Sequence, residues 1–188
     1  MDTFSIDNFI DGPRLVELIK NSDQRGSFTE VYNFQLFKSL HPKIPKSFLQ
    51  SNLIEAKLNA LRGFHGARES ENHWKIVTCV SGSIIDAYLD IRVSSETFGN
   101  IGFTVLNSLE LKTVVIPPGF AHAMQSTSEL SKVLYLTNKA YKDQKELDIN
   151  PFEGLPSTFW SQRPILSQRD LNAKSFAILI KNGHLRSR

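Results

Sequence analysis

The sequence predicts an all-β fold, a sandwich or barrel of the jelly-roll kind with a few short peripheral helices. Three observations predict it. Short apolar runs rich in Val, Ile, Phe and Tyr recur along the chain, clusters of turn residues separate them, and segments with helical periodicity are few. In chain order the runs are Gly26 to Tyr32, Leu61 to His65, Trp74 to Val80, Ile84 to Val93, Gly102 to Val105, Thr113 to Ile116 and Lys132 to Thr137. Their β-branched and aromatic side chains suit a pleated, half-buried surface. Ser81-Gly82-Ser83 lies between two runs and reads as a hairpin turn, while Pro117-Pro118-Gly119 ends another run in a rigid turn. The best helix candidate is Asn33 to Leu40, where Phe34, Phe37 and Leu40 stand at helical spacing.

Residues 1–188 read as a single domain, with 141–188 an irregular C-terminal segment packing on the barrel. Pro151, Pro156 and Pro164 punctuate that segment, and Phe152, Phe159 and Trp160 require burial. At 188 residues and 40% hydrophobic content, the chain can bury a sizeable core. Thirteen Phe can fill that core or stack on a planar ligand.

The formal charge of +3, without a run of basic residues, excludes nucleic acid as the expected partner and suits a small anion held by a few Arg and Lys. The single Cys79 excludes an internal disulfide and disfavours structural zinc. No apolar stretch is long enough to span a membrane, and the N-terminus lacks a signal-peptide layout, so the expected location is cytoplasmic.

Three segments place polar residues inside apolar strands. In Leu61-Arg62-Gly63-Phe64-His65-Gly66, strict alternation puts Arg62 and His65 on opposite faces. Both can face one cavity only across a bulge, which Gly63 would tolerate. Spacing alone does not separate a structural His65 from a catalytic one. In His73 to Val80, Lys75 shares a face with Val77 and Cys79, so its ammonium points into the barrel or snorkels to solvent. The third segment runs from Val115 to His122 and on to Tyr135; its Pro-x-Gly-x-x-His turn resembles the second motif of the cupin barrels. Metal-binding cupins carry a His-x-His pair in their first motif. Here Gly66 and Ala67 follow His65, so no metal site is expected.

Together these stretches resemble the family of nucleotide-sugar 3,5-epimerases that act on dTDP-4-keto-6-deoxyglucose. The resemblance runs through Asp23-Gln24-Arg25-Gly26 with Phe28 and Glu30, Gln50-Ser51-Asn52, Leu61 to His65, Lys75 with Gly82, Asp86 to Arg92, and Thr97-Phe98-Gly99. It continues through Ile116 to His122, Tyr135 with Tyr141, and Pro164 to Asp170. It implies a cupin-like barrel and a cofactor-free isomerase of deoxysugar or surface-polysaccharide biosynthesis. Carried over residue by residue, His65 is the base, Asp170 its partner, Tyr135 the acid, and Lys75 the group beside the keto oxygen. Arg62, Arg25, Glu30, Gln50, Asn52, His122, Glu146 and Arg169 become substrate contacts. The resemblance also implies a homodimer exchanging N-terminal elements, with Arg25, Phe28 and Glu30 serving the neighbouring subunit's site.

The chain departs from the family at His65-Gly66-Ala67, where an aromatic and Gln usually follow the base, at Asn52-Leu53-Ile54-Glu55-Ala56, and at Ala123-Met124. The His-Gly variant is similar to relatives acting on other nucleotide sugars, including GDP-linked 4-keto heptoses. The nucleotide, the sugar and the number of centres inverted therefore stay open. Two other readings stand beside epimerisation: a ketoisomerase moving the carbonyl between C3 and C4, and a barrel that binds nucleotide sugars without turnover.

Overall fold

The computed structural model describes residues 3–140, 146–161 and 163–185. In chain order its elements are β1 (Thr3–Ser5), β2 (Arg14–Glu17), β3 (Lys20–Asp23), β4 (Gly26–Thr29), α1 (Phe34–Leu40), β5 (Gln50–Lys57), β6 (Leu61–Gly66), β7 (Lys75–Ser81) and β8 (Ser83–Asp90). They continue as β9 (Ile101–Asn107), β10 (Lys112–Ile116), β11 (Phe120–Ser126), β12 (Leu130–Thr137), β13 (Leu147–Ile149), α2 (Gln168–Leu171) and α3 (Phe176–Lys181). A six-stranded sheet, β1-β9-β8-β11-β6-β13, faces a five-stranded sheet, β2-β10-β7-β12-β5, while β3 and β4 form a separate hairpin. This is the predicted all-β, cupin-like jelly roll.

Side-chain alternation along the strands sorts the apolar residues into three layers. Between the sheets lie Val77, Cys79, Ile84, Tyr88, Leu106, Val114, Ile116, Phe120, Met124 and Val133. The outer face of the six-stranded sheet buries Leu61, Phe64, Leu89 and Ala121 against Trp160, Phe176 and Leu179 of the C-terminal segment. The outer face of the five-stranded sheet buries Ile76 and Val115 beneath Phe37 of α1. Asn33 starts that helix as predicted, its side chain accepting the Gln35 and Leu36 amides.

Three expectations need correction. Ser81-Gly82-Ser83 is not a hairpin, because β7 and β8 belong to different sheets. It is a corner that carries the chain from one sheet to the other. Gly82 has φ 74°, and a Cβ there would lie 2.7 Å from the Leu130 carbonyl oxygen. The C-terminal segment is less irregular than expected, since β13 extends the six-stranded sheet beside β6 and α3 covers its outer face. Trp160 is buried there, but Phe152 remains 49% exposed.

Several strands also escaped the pattern. β5 reads Gln-Ser-Asn-Leu-Ile-Glu-Ala-Lys because only alternate residues turn inward at this sheet edge. β11 carries no β-branched residue and is held by two strand neighbours instead.

Candidate active site

The bulge that Arg62 and His65 require is present. On β11, His122 stands opposite His65 and Met124 opposite Arg62, so Ala123 alone faces both Gly63 and Phe64. The extra residue sends Leu61 and Phe64 into the outer core while Arg62 and His65 both line one cavity of about 260 Å³ between the sheets. Gly63 is required for a second reason. Its amide donates to Asp170 Oδ1 at 3.0 Å, and a Cβ would approach that oxygen to 2.8 Å.

Asp170 reaches β6 because the C-terminal segment runs back along it. Leu61 donates its amide to the Ile165 carbonyl, and Ser167 then caps α2. His65 Nε2 lies 2.8 Å from Asp170 Oδ1, and the Ser167 hydroxyl donates to Asp170 Oδ2 at 2.6 Å. Burial pushes the Asp170 carboxyl up, but hydrogen bonds from His65, Ser167 and the Gly63 amide outweigh it and draw it down to about 2. Asp170 is thus an ionised acceptor, which assigns the Nε2 proton to His65 and leaves Nδ1 as its basic nitrogen. The His65 side chain is 18% exposed, open enough to meet a ligand.

Lys75 begins β7 on the opposite sheet and points inward, not to solvent. Its ammonium donates to Glu146 Oε1 at 2.7 Å and to the His65 carbonyl at 3.3 Å. Burial raises the Glu146 carboxyl, yet the Lys75 charge overrides it and brings it to about 2. Arg169 spans Glu146, at 3.2 Å, and Asp148, and the Asp148 hydrogen bond raises the guanidinium further. Behind Lys75, His73 bonds Thr137 Oγ1 at 2.8 Å. Burial first, then the Lys75 charge, lowers its imidazole to about 4, so it stays neutral.

Tyr135 lines the cavity from β12, beside Val77 on β7 and Asn52 on β5. His122 lines it from β11, with Nε2 on Asp86 Oδ1. The structure therefore gathers His65, Asp170, Tyr135, Lys75, Arg62, His122, Glu146 and Arg169 around one cavity.

It does not bring Arg25, Phe28 and Glu30 there. Arg25 and Phe28 belong to the β3–β4 hairpin, where Arg25 pairs with Asp23 at 2.6 Å and Phe28 is 70% exposed; Glu30, just beyond it, accepts from Asn33. Gln50 and Asn52 bond each other at 2.7 Å on β5, outside the cavity lining, and the buried Asn52 Nδ2 has no partner among the described residues. Tyr141 lies outside the described residues. Among the described residues no Phe lines the cavity, and most of the Phe belong to the three cores.

Sequence reasoning missed Ser167 and Asp86 as functional neighbours. Ser167-x-x-Asp170 has the spacing of a helix-capping pair, and Asp86 is a carboxylate inside the apolar run Ile84 to Leu89; both were readable signals. Gly66 also has a local cause. A Cβ there would meet Ala121 Cα at 2.5 Å, so this backbone excludes an aromatic after His65. Among the described residues no group of three or more His, Cys, Asp or Glu is placed to hold a metal ion.

Residues 8–177 match the sequence model of the family described as dTDP-4-dehydrorhamnose 3,5-epimerase. The enzyme of that name from Salmonella typhimurium is 35% identical over 153 residues, covering 80% of this chain and 83% of the relative. NovW, a 4-keto-6-deoxy sugar epimerase from the novobiocin biosynthetic gene cluster of Streptomyces spheroides, superposes with a TM-score of 0.87 at 27% identity, over 95% of this chain and 89% of that one. ChmJ, a 3'-monoepimerase from Streptomyces bikiniensis in complex with dTDP-quinovose, gives 0.85 at 27% identity, over 93% and 88%. Sequence and fold agree over nearly the whole chain, which belongs to the dTDP-4-dehydrorhamnose 3,5-epimerase family.

Proposed function

We propose that the chain epimerises a nucleotide-linked 4-keto deoxysugar by moving protons at carbons beside the C4 ketone. One observation carries this reading. His65, held by Asp170, stands on one sheet, and Tyr135 faces the same cavity from the other. A base and an acid on opposite sides of a bound sugar ring are what inversion requires.

A carbon next to a ketone is acidic because its anion delocalises onto oxygen. His65 Nδ1 takes the proton, and Asp170 stabilises the imidazolium that forms. Lys75 faces the developing charge on the ketone oxygen, where a fixed cation in a shielded site is most effective. Tyr135 returns a proton from the far face and inverts the centre. Glu146 and Arg169 hold Lys75 in place at rest, and Arg62 at the cavity suits diphosphate oxygens.

The same reading takes the chain as a cytoplasmic homodimer in which the β3–β4 hairpin reaches the neighbouring subunit. An exposed Phe28 beside an Arg25 that, among the described residues, pairs with Asp23 of its own hairpin supports that arrangement. Among the described residues no helix is long and apolar enough to cross a membrane.

Binding and turnover separate in a His65→Asn variant. It is expected to keep affinity for a nucleotide sugar within a few-fold while turnover falls by about 10²–10⁴. Wild-type binding without any turnover would instead identify a recognition barrel.

A further inference from the structure

Asp170 is held from two sides by different parts of the chain. Both donors from β6, the Gly63 amide at 3.0 Å and His65 Nε2 at 2.8 Å, meet the same oxygen, Oδ1. Oδ2 takes the Ser167 hydroxyl at 2.6 Å. The terminal torsion of an aspartate is broad, so a carboxylate held at one oxygen can pivot about it. A short bond at the second oxygen stops that motion, and hydrogen bonds to an ionised acceptor are the strong ones.

The Ser167 hydroxyl is itself aimed. Its oxygen caps α2 by accepting the Asp170 amide at 3.2 Å, which leaves its hydrogen for Oδ2. One residue thus starts the turn that carries Asp170 and fixes the carboxylate that the turn delivers. Ser167 also stands at a boundary. With Arg62 and Asp170 it lines the cavity on one side and, on the other, a groove of about 360 Å³ beside Glu55, Lys57 and Ile165. Ser167 is exposed, whereas Asp170 is only 5% exposed. The serine therefore covers the buried carboxylate from the groove side.

We propose that Ser167 is a positioning residue for the proton transfer: its hydroxyl locks the Asp170 carboxylate in the rotation that holds His65 toward the sugar. It acts through Asp170, and capping α2 is the lesser part of its role. The inference rests on the epimerase reading and deepens it.

The test is a double-mutant cycle, read by deuterium entry beside the ketone of dTDP-4-keto-6-deoxyglucose in D₂O with kcat and KM measured for each variant. Ser167→Ala is expected to lower kcat by about 10-fold with KM retained, because a base held off its line loses rate rather than affinity. Ser167→Thr keeps both the cap and the hydroxyl, and should return kcat to within about twofold of the wild type. Ser167→Asp keeps the cap but has no hydrogen to give at neutral pH, so its kcat should fall at least as far as that of Ser167→Ala. In an Asp170→Asn background, adding Ser167→Ala should change kcat by less than about twofold, since the carboxylate it positions is gone. An equal loss in both backgrounds marks a cap that only supports the fold and would overturn the proposal. So would a wild-type rate in Ser167→Ala or Ser167→Asp, or a loss confined to KM. The epimerase reading survives each of those results, whereas a wild type that exchanges neither carbon removes both.

Discussion

His65 is basic at one nitrogen only, because Asp170 holds the other, and Asp170 is fixed by three donors at once. An Asp170→Asn variant keeps the shape but can present the wrong tautomer of His65. Turnover is expected to fall by about 10²–10⁴ while the thermal midpoint changes modestly, which paired kinetic and melting measurements would check. Tyr135→Phe separates the two half-reactions. The variant should still exchange solvent deuterium, since His65 can return what it removed, but should invert no centre. Inverted product from Tyr135→Phe at the wild-type rate would exclude Tyr135 as the acid.

At the scale of elements, the bulge in β6 makes the site. Without it Arg62 and His65 would face opposite sides, and Leu61 and Phe64 could not both enter the outer core. Gly63→Ala is expected to displace Asp170, cost about 1–3 kcal/mol and lower turnover together with stability. A denaturant series alongside kcat would show both changes. The need for this bulge was legible in the sequence from the three-residue interval between Arg62 and His65. The strand content and α1 were legible as well, because apolar periodicity is a local signal. The corner at Gly82 was not, since a tight turn between two strands looks the same whether they pair or part into different sheets. β13 was hidden by its length of three residues and by dependence on β6 for pairing. Of the cavity lining, His65, Lys75, His122, Tyr135 and Asp170 were named from their motifs, whereas Arg25, Phe28, Glu30, Gln50 and Asn52, named the same way, lie outside it. Asp86 stood out as a carboxylate in an apolar run, but its contact with His122 did not, because that depends on which face of β8 meets β11.

At the scale of the molecule, two facing sheets bring His65 and Tyr135 to one cavity, and the C-terminal segment supplies the carboxylate that holds His65. That carboxylate ties stability to pH. Asp170 titrates near 2 in the fold against 3.8 for the free side chain, so its contribution is complete above about pH 4 and is lost as pH falls toward 2. The wild type is expected to lose about 2 kcal/mol more than Asp170→Asn over that interval, as read from urea denaturation at a series of pH values.

Subunit exchange has its own test at this scale. If Arg25 serves the neighbouring site, mixing Arg25→Ala with His65→Asn protein should rebuild one intact site per mixed dimer and recover activity that neither variant has alone. Failure of mixed dimers to recover activity would return Arg25 to its own hairpin.

Proton transfer next to a ketone, with inversion, leaves its record in the product. Incubation of the wild type with dTDP-4-keto-6-deoxyglucose in D₂O, followed by NMR of the product, tests it most directly. Epimerisation beside the ketone leaves deuterium at C3, C5 or both, with at least one of those centres inverted and the carbonyl still at C4. A carbonyl moved to C3, or no deuterium at either carbon with any nucleotide-linked 4-keto sugar, would contradict it.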